Sequence, residues 1–295
     1  MPLNVDHQLR ERMDHDATAF PISFFEDEFA VLPSRSIPLH WHPEFEFVSA
    51  CSEALEVQVG QNTIQLEAGE SLFVNGNVLH AMRQIEGEKP DAMPNIVFSG
   101  TIIAPEHSTI YQKYLLPVAS DDALPCILFR QGEGWHEALN ETLVGVYRQL
   151  RDCKPCYEMA VQRQLSEIFE MIYRHFDALP RTRASRMQIA AQVRIQQMLA
   201  FIRAHYAESI TLSDIAAAAS VSRSEANRCF NAYMGCTPID ALIQYRLETA
   251  RKMLAETTLT LREIGETCGF NSESYFSRRY RRVYGCAPGC GRKQA

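Results

Sequence analysis

The sequence predicts two domains of different class, α+β overall: an N-terminal β domain followed by a helix pair, then an all-helical C-terminal domain. Three observations carry this. Short alternating or apolar runs separated by turn residues fill residues 20–129, and beyond them the apolar period becomes helical. The charge is divided as well, with 15 Lys and Arg against 9 Asp and Glu in residues 186–295, but 14 against 27 in residues 1–185. A length of 295 residues fits two domains of about 150 residues each. The expected boundaries are 1–177 for the first domain, 178–186 for a linker and 187–295 for the second.

Composition narrows the function classes. With 46% hydrophobic and 22% charged residues the chain is neither disordered nor collagen-like. It lacks an apolar run approaching the ~20 residues of a membrane span, so no membrane partner is expected. The first twenty residues, MPLNVDHQLRERMDHDATAF, carry charges throughout and do not resemble a secretory signal. Nine scattered cysteines, an odd number, fit reduced thiols, and a cytoplasmic location is the expectation. Two cysteine pairs, CKPC (Cys153, Cys156) and CAPGC (Cys286, Cys290), read as thiols in turns, since CKPC falls between helical patterns and not after a strand.

In the β region, LEVQV (55–59) alternates, GQN (60–62) reads as a turn and TIQL (63–66) resumes, which together make a hairpin. SLFV (71–74), HAMRQI (80–85), NIVF (95–98) and CILF (126–129) are further strands, and this spacing points to a barrel or sandwich. Next, Leu139, Leu143, Val146 and Leu150 form one apolar helix face, and Val161, Leu165, Ile168, Ile172 and Phe176 form another. These faces must cover the barrel wall, each other or a second subunit; a homodimer through residues 136–177 is one expectation. ALPRTRASR (178–186) reads as the linker.

The C-terminal third holds a degenerate repeat. TLSDIAAAASVSRSEANRCF (211–230) and TLREIGETCGFNSESYFSRRY (260–280) share Thr-Leu, an acid three residues after the Thr, and then Ile. A very small residue follows, Ala216 or Gly265, then Ser220 or Gly269 four residues later, then Val221 or Phe270. That skeleton suits a helix-turn-helix, with a small residue where the helices cross and a tight turn between them. Ser222 and Ser272 (or Asn271) are the expected N-caps of the second helices, and Phe230, Phe270, Phe276, Leu212 and Leu261 the expected core.

On IRAHYAESITLSDIA, RCFNAYMGCTP, YRLETARKML and IGETCGFNSESYFSRRYRRVYGCAP, the segment 187–292 resembles the AraC/XylS family of transcriptional regulators. It departs from the family pattern after Pro288, where Gly291-Arg292 stands in place of a Tyr-Arg ending, and at Tyr280, where Phe is commoner. The resemblance implies two helix-turn-helix units held by a linking helix at about Ile239–Ala255, set in successive major grooves ~34 Å apart. Double-stranded DNA and RNA polymerase are the implied partners. The positions matching the family's base-facing residues are Ser224, Asn227 and Arg228 on the first recognition helix, and Glu273, Ser274, Ser277 and Arg278 on the second. Arg pairs bidentately with guanine and Asn with adenine. Arg223, Arg281 and Arg282 are the expected phosphate contacts, which fix register without carrying sequence information.

In the N-terminal domain His40, His42 and Glu46 share parity in one run, and His80 follows on a later strand. Pro43 stands inside that run, where proline interrupts strand pairing. The set resembles the metal constellation of a cupin barrel, and AraC-type regulators commonly carry a cupin-like sensor. These four residues are therefore a candidate pocket for a small-molecule effector, or a candidate site for a divalent transition metal. Trp41, on the opposite parity, is expected to pack in the barrel. The reading is an effector-modulated DNA-binding regulator, not an enzyme. The alternative is a metal-dependent cupin enzyme with an accessory DNA-binding domain.

Overall fold

Alternating and fully apolar runs build nine strands in a computed structural model that describes residues 11, 20–28, 35–85, 92–132, 134–181 and 186–289. In chain order these are β1 (Ile22–Glu28), β2 (Ser36–His40), β3 (Phe45–Ser49), β4 (Leu55–Val59), β5 (Asn62–Leu66), β6 (Ser71–Val74), β7 (His80–Gln84), β8 (Ala92–Phe98) and β9 (Cys126–Phe129). They pair antiparallel in two sheets, β1-β8-β3-β6-β9 and β2-β7-β4-β5. The expected hairpin is present as β4 and β5, closed at Gly60, whose φ of 60° is the left-handed geometry such a turn demands.

Parity along β3 explains how the domain is layered. Val48 faces inward with Leu72, Val74 and Met93, against Ile37, Leu55, Val57, Leu66 and Met82 of the other sheet. Phe45 and Phe47 face outward with Phe73, Phe98 and Phe129. Both faces are covered, so β3 is buried at every position and lacks the polar alternation of a half-exposed strand. The outer cover is α2 (Trp135–Asp152) and α3 (Tyr157–Arg174), which follow α1 (Leu116–Ala119) and bring Leu139, Leu143, Val146, Val161, Leu165 and Ile168 onto the phenylalanines. The buried stripes of the helix pair are thus spent on the five-stranded sheet, while Val144 and Met159 remain exposed. Before α1 runs a π-helical turn, Tyr111–Leu115, in a stretch where the sequence pattern set no element. At the corner between α2 and α3, Cys153 and Cys156 are exposed and unbridged, with left-handed φ values of 47° and 68°.

The chain divides into two units, Met1–Ile189 and Ala190–Ala295, and the division falls inside α4 (Arg186–His205). Within the second unit follow α5 (Leu212–Ala218), α6 (Arg223–Met234), α7 (Pro238–Glu256), α8 (Leu261–Thr267) and α9 (Glu273–Tyr284). Part of the expected linker (182–185), Cys290, Gly291 and Arg292 lie outside the described residues. Among the described residues no helix is long and apolar enough to cross a membrane.

Candidate nucleic-acid interface and buried histidine centre

Each half of the C-terminal repeat folds by the same local chemistry. Thr211 and Thr260 cap α5 and α8, and Asp214 and Glu263, three residues on, return a hydrogen bond to the cap backbone. The shared Thr and acid are thus reciprocal capping boxes. Ile215 and Ile264 are fully buried one turn later, whereas Leu212 and Leu261 are only half-buried. The Leu positions sit in the first helical turn, pointing to the rim, and the Ile positions carry the core contact. Phe230, Phe270 and Phe276 are core.

The turns then reverse the chain through one left-handed residue, Ser220 at φ 53° and Gly269 at φ 78°. Gly269 has a second constraint: a Cβ there would stand 2.6 Å from the Tyr206 carbonyl oxygen. The recognition helices α6 and α9 start at Ser222 and Ser272, whose hydroxyls accept from the backbone N–H of Glu225 and Tyr275. Ser272, and not Asn271, is the cap. The second turn is therefore one residue longer than the first, which an alignment on Thr211 and Thr260 does not reveal.

Helical spacing decides which side chains are presented. On α6, Ser224 and Arg228 are exposed and Asn227 half-exposed on one face; on α9, Ser274 and Arg278 are exposed and Ser277 half-exposed at the corresponding positions. Asn231 extends the first face and Arg281 the second, both exposed. Neither charge nor motif position marks Asn231 in the sequence. Arg223, Glu273 and Arg282 are exposed nearby. Arg279 differs from its neighbours, since it is half-buried and reaches Asp240 at the start of α7, 3.4 Å away. Asn227 Nδ2 donates to the Arg223 carbonyl at 3.0 Å, and Arg228 is paired with Glu225 at 2.8 Å. Arg246 of α7 donates to the Tyr206 and Glu208 carbonyls, both at 2.7 Å, tying the end of α4 to α7.

In the first unit the structure brings together His40, His42, Glu46 and His80, all buried, with one donor atom from each lying within 4.8 Å of the others. Their placement corrects the idea of a single extended run. His40 ends β2 and faces His80 of β7 as its cross-strand partner, while Glu46 lies on β3 in the other sheet. The chain crosses between sheets at His42, Pro43 and Glu44, where proline ends pairing. Trp41, half-buried, lies between the two histidines. Glu11, which no pattern in the sequence marked, adds a carboxylate 3.7 Å from His40 Nε2 and is held by its N–H to the Trp41 carbonyl at 2.8 Å.

The three imidazoles are oriented alike. Nδ1 of His40, His42 and His80 lies 2.9, 3.1 and 2.8 Å from the carbonyls of Pro38, Glu44 and Val78. Each ring therefore donates from Nδ1 and turns an Nε2 lone pair to the centre. Glu46 Oε2 lies 3.4 Å from His42 Nε2 and 2.9 Å from His80 Nε2, yet none of these atoms has a well-formed hydrogen bond. Buried lone pairs converging this way call for a cation. Burial opposes charge on His80, but the Glu46 carboxylate outweighs it and raises the imidazole's proton affinity. Burial, joined by repulsion from His80, holds His40 well below the usual histidine range. Burial also opposes ionisation of Glu46, but the imidazoles prevail and keep it ionised. Three neutral imidazoles and a carboxylate, each ring held from behind by a carbonyl, fit a borderline divalent metal.

Comparison with known proteins agrees with both units. Residues 215–294 match a family model described as a helix-turn-helix domain, and residues 28–93 match one described as a cupin domain. An uncharacterized HTH-type transcriptional regulator of Bacillus subtilis, YdeC, is 25% identical over 284 residues, covering 96% of either chain. The transcriptional activator NphR of a Rhodococcus species is 46% identical over 85 residues, which is 29% of this chain and 25% of that protein. A solved transcriptional regulator of Chromobacterium violaceum with an AraC-type DNA-binding domain is 31% identical, covering 36% of this chain and 95% of that one, with a TM-score of 0.34. With a capped tandem helix-turn-helix in one unit and a cupin-type β domain in the other, the chain belongs to the AraC-type family of transcriptional regulators.

Proposed function

We propose that the protein is a sequence-specific DNA-binding regulator that reads duplex DNA with α6 and α9, its activity set by what occupies the centre formed by His40, His42, Glu46 and His80. The observation that carries the reading is the pair of recognition helices, each begun by a serine cap after a left-handed turn and each presenting exposed Ser and Arg on one face. Ser224, Asn227, Arg228, Glu273, Ser274, Ser277 and Arg278 meet base edges, whereas Arg223, Arg281 and Arg282 neutralise phosphates. RNA polymerase and a second copy of the chain are further partners on this reading.

For the sensor, the close convergence of four donors supports an ion over an organic molecule in the same space. A divalent transition metal would be held by His40, His42 and His80 through Nε2 and by Glu46 through Oε2. When bound it supplies a fixed cation at the junction of the two sheets. The chain's own part is to present the four donors dry and pre-oriented. An effector changes regulation only through different affinity for two states of the protein.

The test combines metal content with DNA selection. Full-length protein purified without chelator or affinity-tag metal is analysed for transition metals beside a His40→Ala/His80→Ala variant, and both select from a random duplex library. One equivalent of metal lost in the variant, with altered DNA affinity, is the expected result. Enrichment of no sequence by either protein would sink the DNA-reading proposal, and absence of metal from both would sink the metal sensor. The four donors also support a second reading as a cupin enzyme, which turnover of a small molecule by the purified protein would favour.

A further inference from the structure

The first recognition helix carries an ion-pair arrangement that, among the described residues, the second lacks. Glu225 Oε1 lies 2.8 Å from Arg228 Nη2 and 3.1 Å from Arg194 Nη1 on α4, so one carboxylate oxygen holds two guanidiniums. Its remaining described contacts are the Cys229 thiol at 3.9 Å and, through its own backbone N–H, the Ser222 hydroxyl at 3.2 Å. In α9 the position matching Glu225 is Tyr275, so Arg278, the counterpart of Arg228, has no acid three residues before it.

This arrangement bears on what Arg228 must give up to reach a base. An arginine that leaves its carboxylate for DNA strands that carboxylate beside phosphates, where its charge repels them. With Arg194 on the same oxygen, Glu225 stays paired when Arg228 departs. We propose that Arg194 and Glu225 are positioning residues that set the base preference of the first recognition helix: Glu225 holds Arg228 off wrong sequences, and Arg194 keeps Glu225 neutralised when Arg228 engages the right one. The inference rests on the proposed base contact of Arg228. It also gives α4, the segment by which the chain enters the second unit, a direct link to the base-reading face.

The test uses full-length protein and a random-sequence duplex library, comparing the wild type with Arg228→Ala, Arg194→Ala, Glu225→Gln and Arg194→Ala/Glu225→Gln. Arg228→Ala should erase preference at one base position. Arg194→Ala should weaken binding to the wild-type consensus duplex about two- to five-fold, the range of exposed ion pairs, and flatten preference at that same position. Glu225→Gln should free Arg228 and broaden the bases accepted there. Adding Glu225→Gln to Arg194→Ala should restore affinity to within about twofold of wild type, as coupled neighbours require. A loss in Arg194→Ala that is uniform across sequences and unrelieved by Glu225→Gln would show Arg194 to be a phosphate contact and overturn the inference. If Arg228→Ala alters no single position, the base contact itself fails and the inference falls with it.

Discussion

Substituting Gly269 by alanine should uncouple the second helix-turn-helix, and the size of the effect follows from three features. The residue sits at φ 78°, where a side chain costs about 1–2 kcal/mol relative to glycine. The added Cβ would stand 2.6 and 2.9 Å from the carbonyl oxygens of Tyr206 and Ala207, which belong to backbone and cannot swing aside. Moving the Tyr206 carbonyl would also stretch its 2.7 Å bond from Arg246, a charged donor of the kind worth about 1.5–3 kcal/mol. Together these give a loss of roughly 3 kcal/mol, which for a unit of this size lowers the melting temperature by about 12 °C or more. Gly265, four residues earlier, is the control. It lies inside α8, and a Cβ there would meet the Phe276 ring at 3.5 Å, ordinary contact. Alanine should be neutral there or stabilising by up to about 1 kcal/mol through helix propensity. Thermal unfolding by circular dichroism of both full-length variants, with affinity for a selected duplex, measures the contrast. A Gly269→Ala protein melting within about 2 °C of wild type, or a Gly265→Ala protein falling as far, would refute this account of the turn.

Further predictions concern the DNA face, the core and the caps. Arg281→Ala should weaken all DNA sequences alike and reduce the salt slope of binding by about 1, whereas Arg228→Ala should relax preference at one position; identical effects would show the two roles wrongly assigned. Phe276→Ala, at a fully buried position shared by α8 and α9, should cost about 3–5 kcal/mol and abolish binding through α9, and retention of the wild-type melting temperature would refute its core role. Hydrogen bonds from the Thr211 and Thr260 hydroxyls hold Asp214 and Glu263 below the usual carboxylate range. Since the folded values are depressed, the caps contribute fully above the unfolded carboxylate range and lose their contribution as pH falls through the folded values. An Asp214→Asn/Glu263→Gln protein should be less stable than wild type at neutral pH, with the gap closing under acid; a gap that is constant with pH would remove the caps from the acid response.

How much of this was legible in the sequence depended on distance along the chain. Strands β4 to β9 follow from alternation or short apolar runs between turns, and α2 and α3 from the spacing of their buried aliphatic residues, because each pattern is local. β1 to β3 were visible only as strand-like texture, since β3 is buried on both faces and the crossing at Pro43 moves Glu46 to another sheet. The histidine cluster was found through parity, although the parity argument assumed one strand where there are two. Arg194 and Glu225 stand 31 residues apart, and nothing in either segment announces the other. At the π-helical turn Tyr111–Leu115, the residues Tyr111, Tyr114, Leu115 and Val118 do keep helical spacing, but the run is short and Pro117 stands inside it.

The two recognition helices are similar without being the same. Ser224, Asn227, Arg228 and Asn231 on the first correspond to Ser274, Ser277, Arg278 and Arg281 on the second, and the second follows a longer turn. On the proposed reading a single chain therefore recognises a sequence with a direction, because exchanging its two halves presents each helix with the other's bases. A binding site turned end for end is a different site. The protein bound at a promoter would then face one way along the duplex, and the orientation of a site, as much as its spacing from the start of transcription, would decide whether bound protein is productively placed.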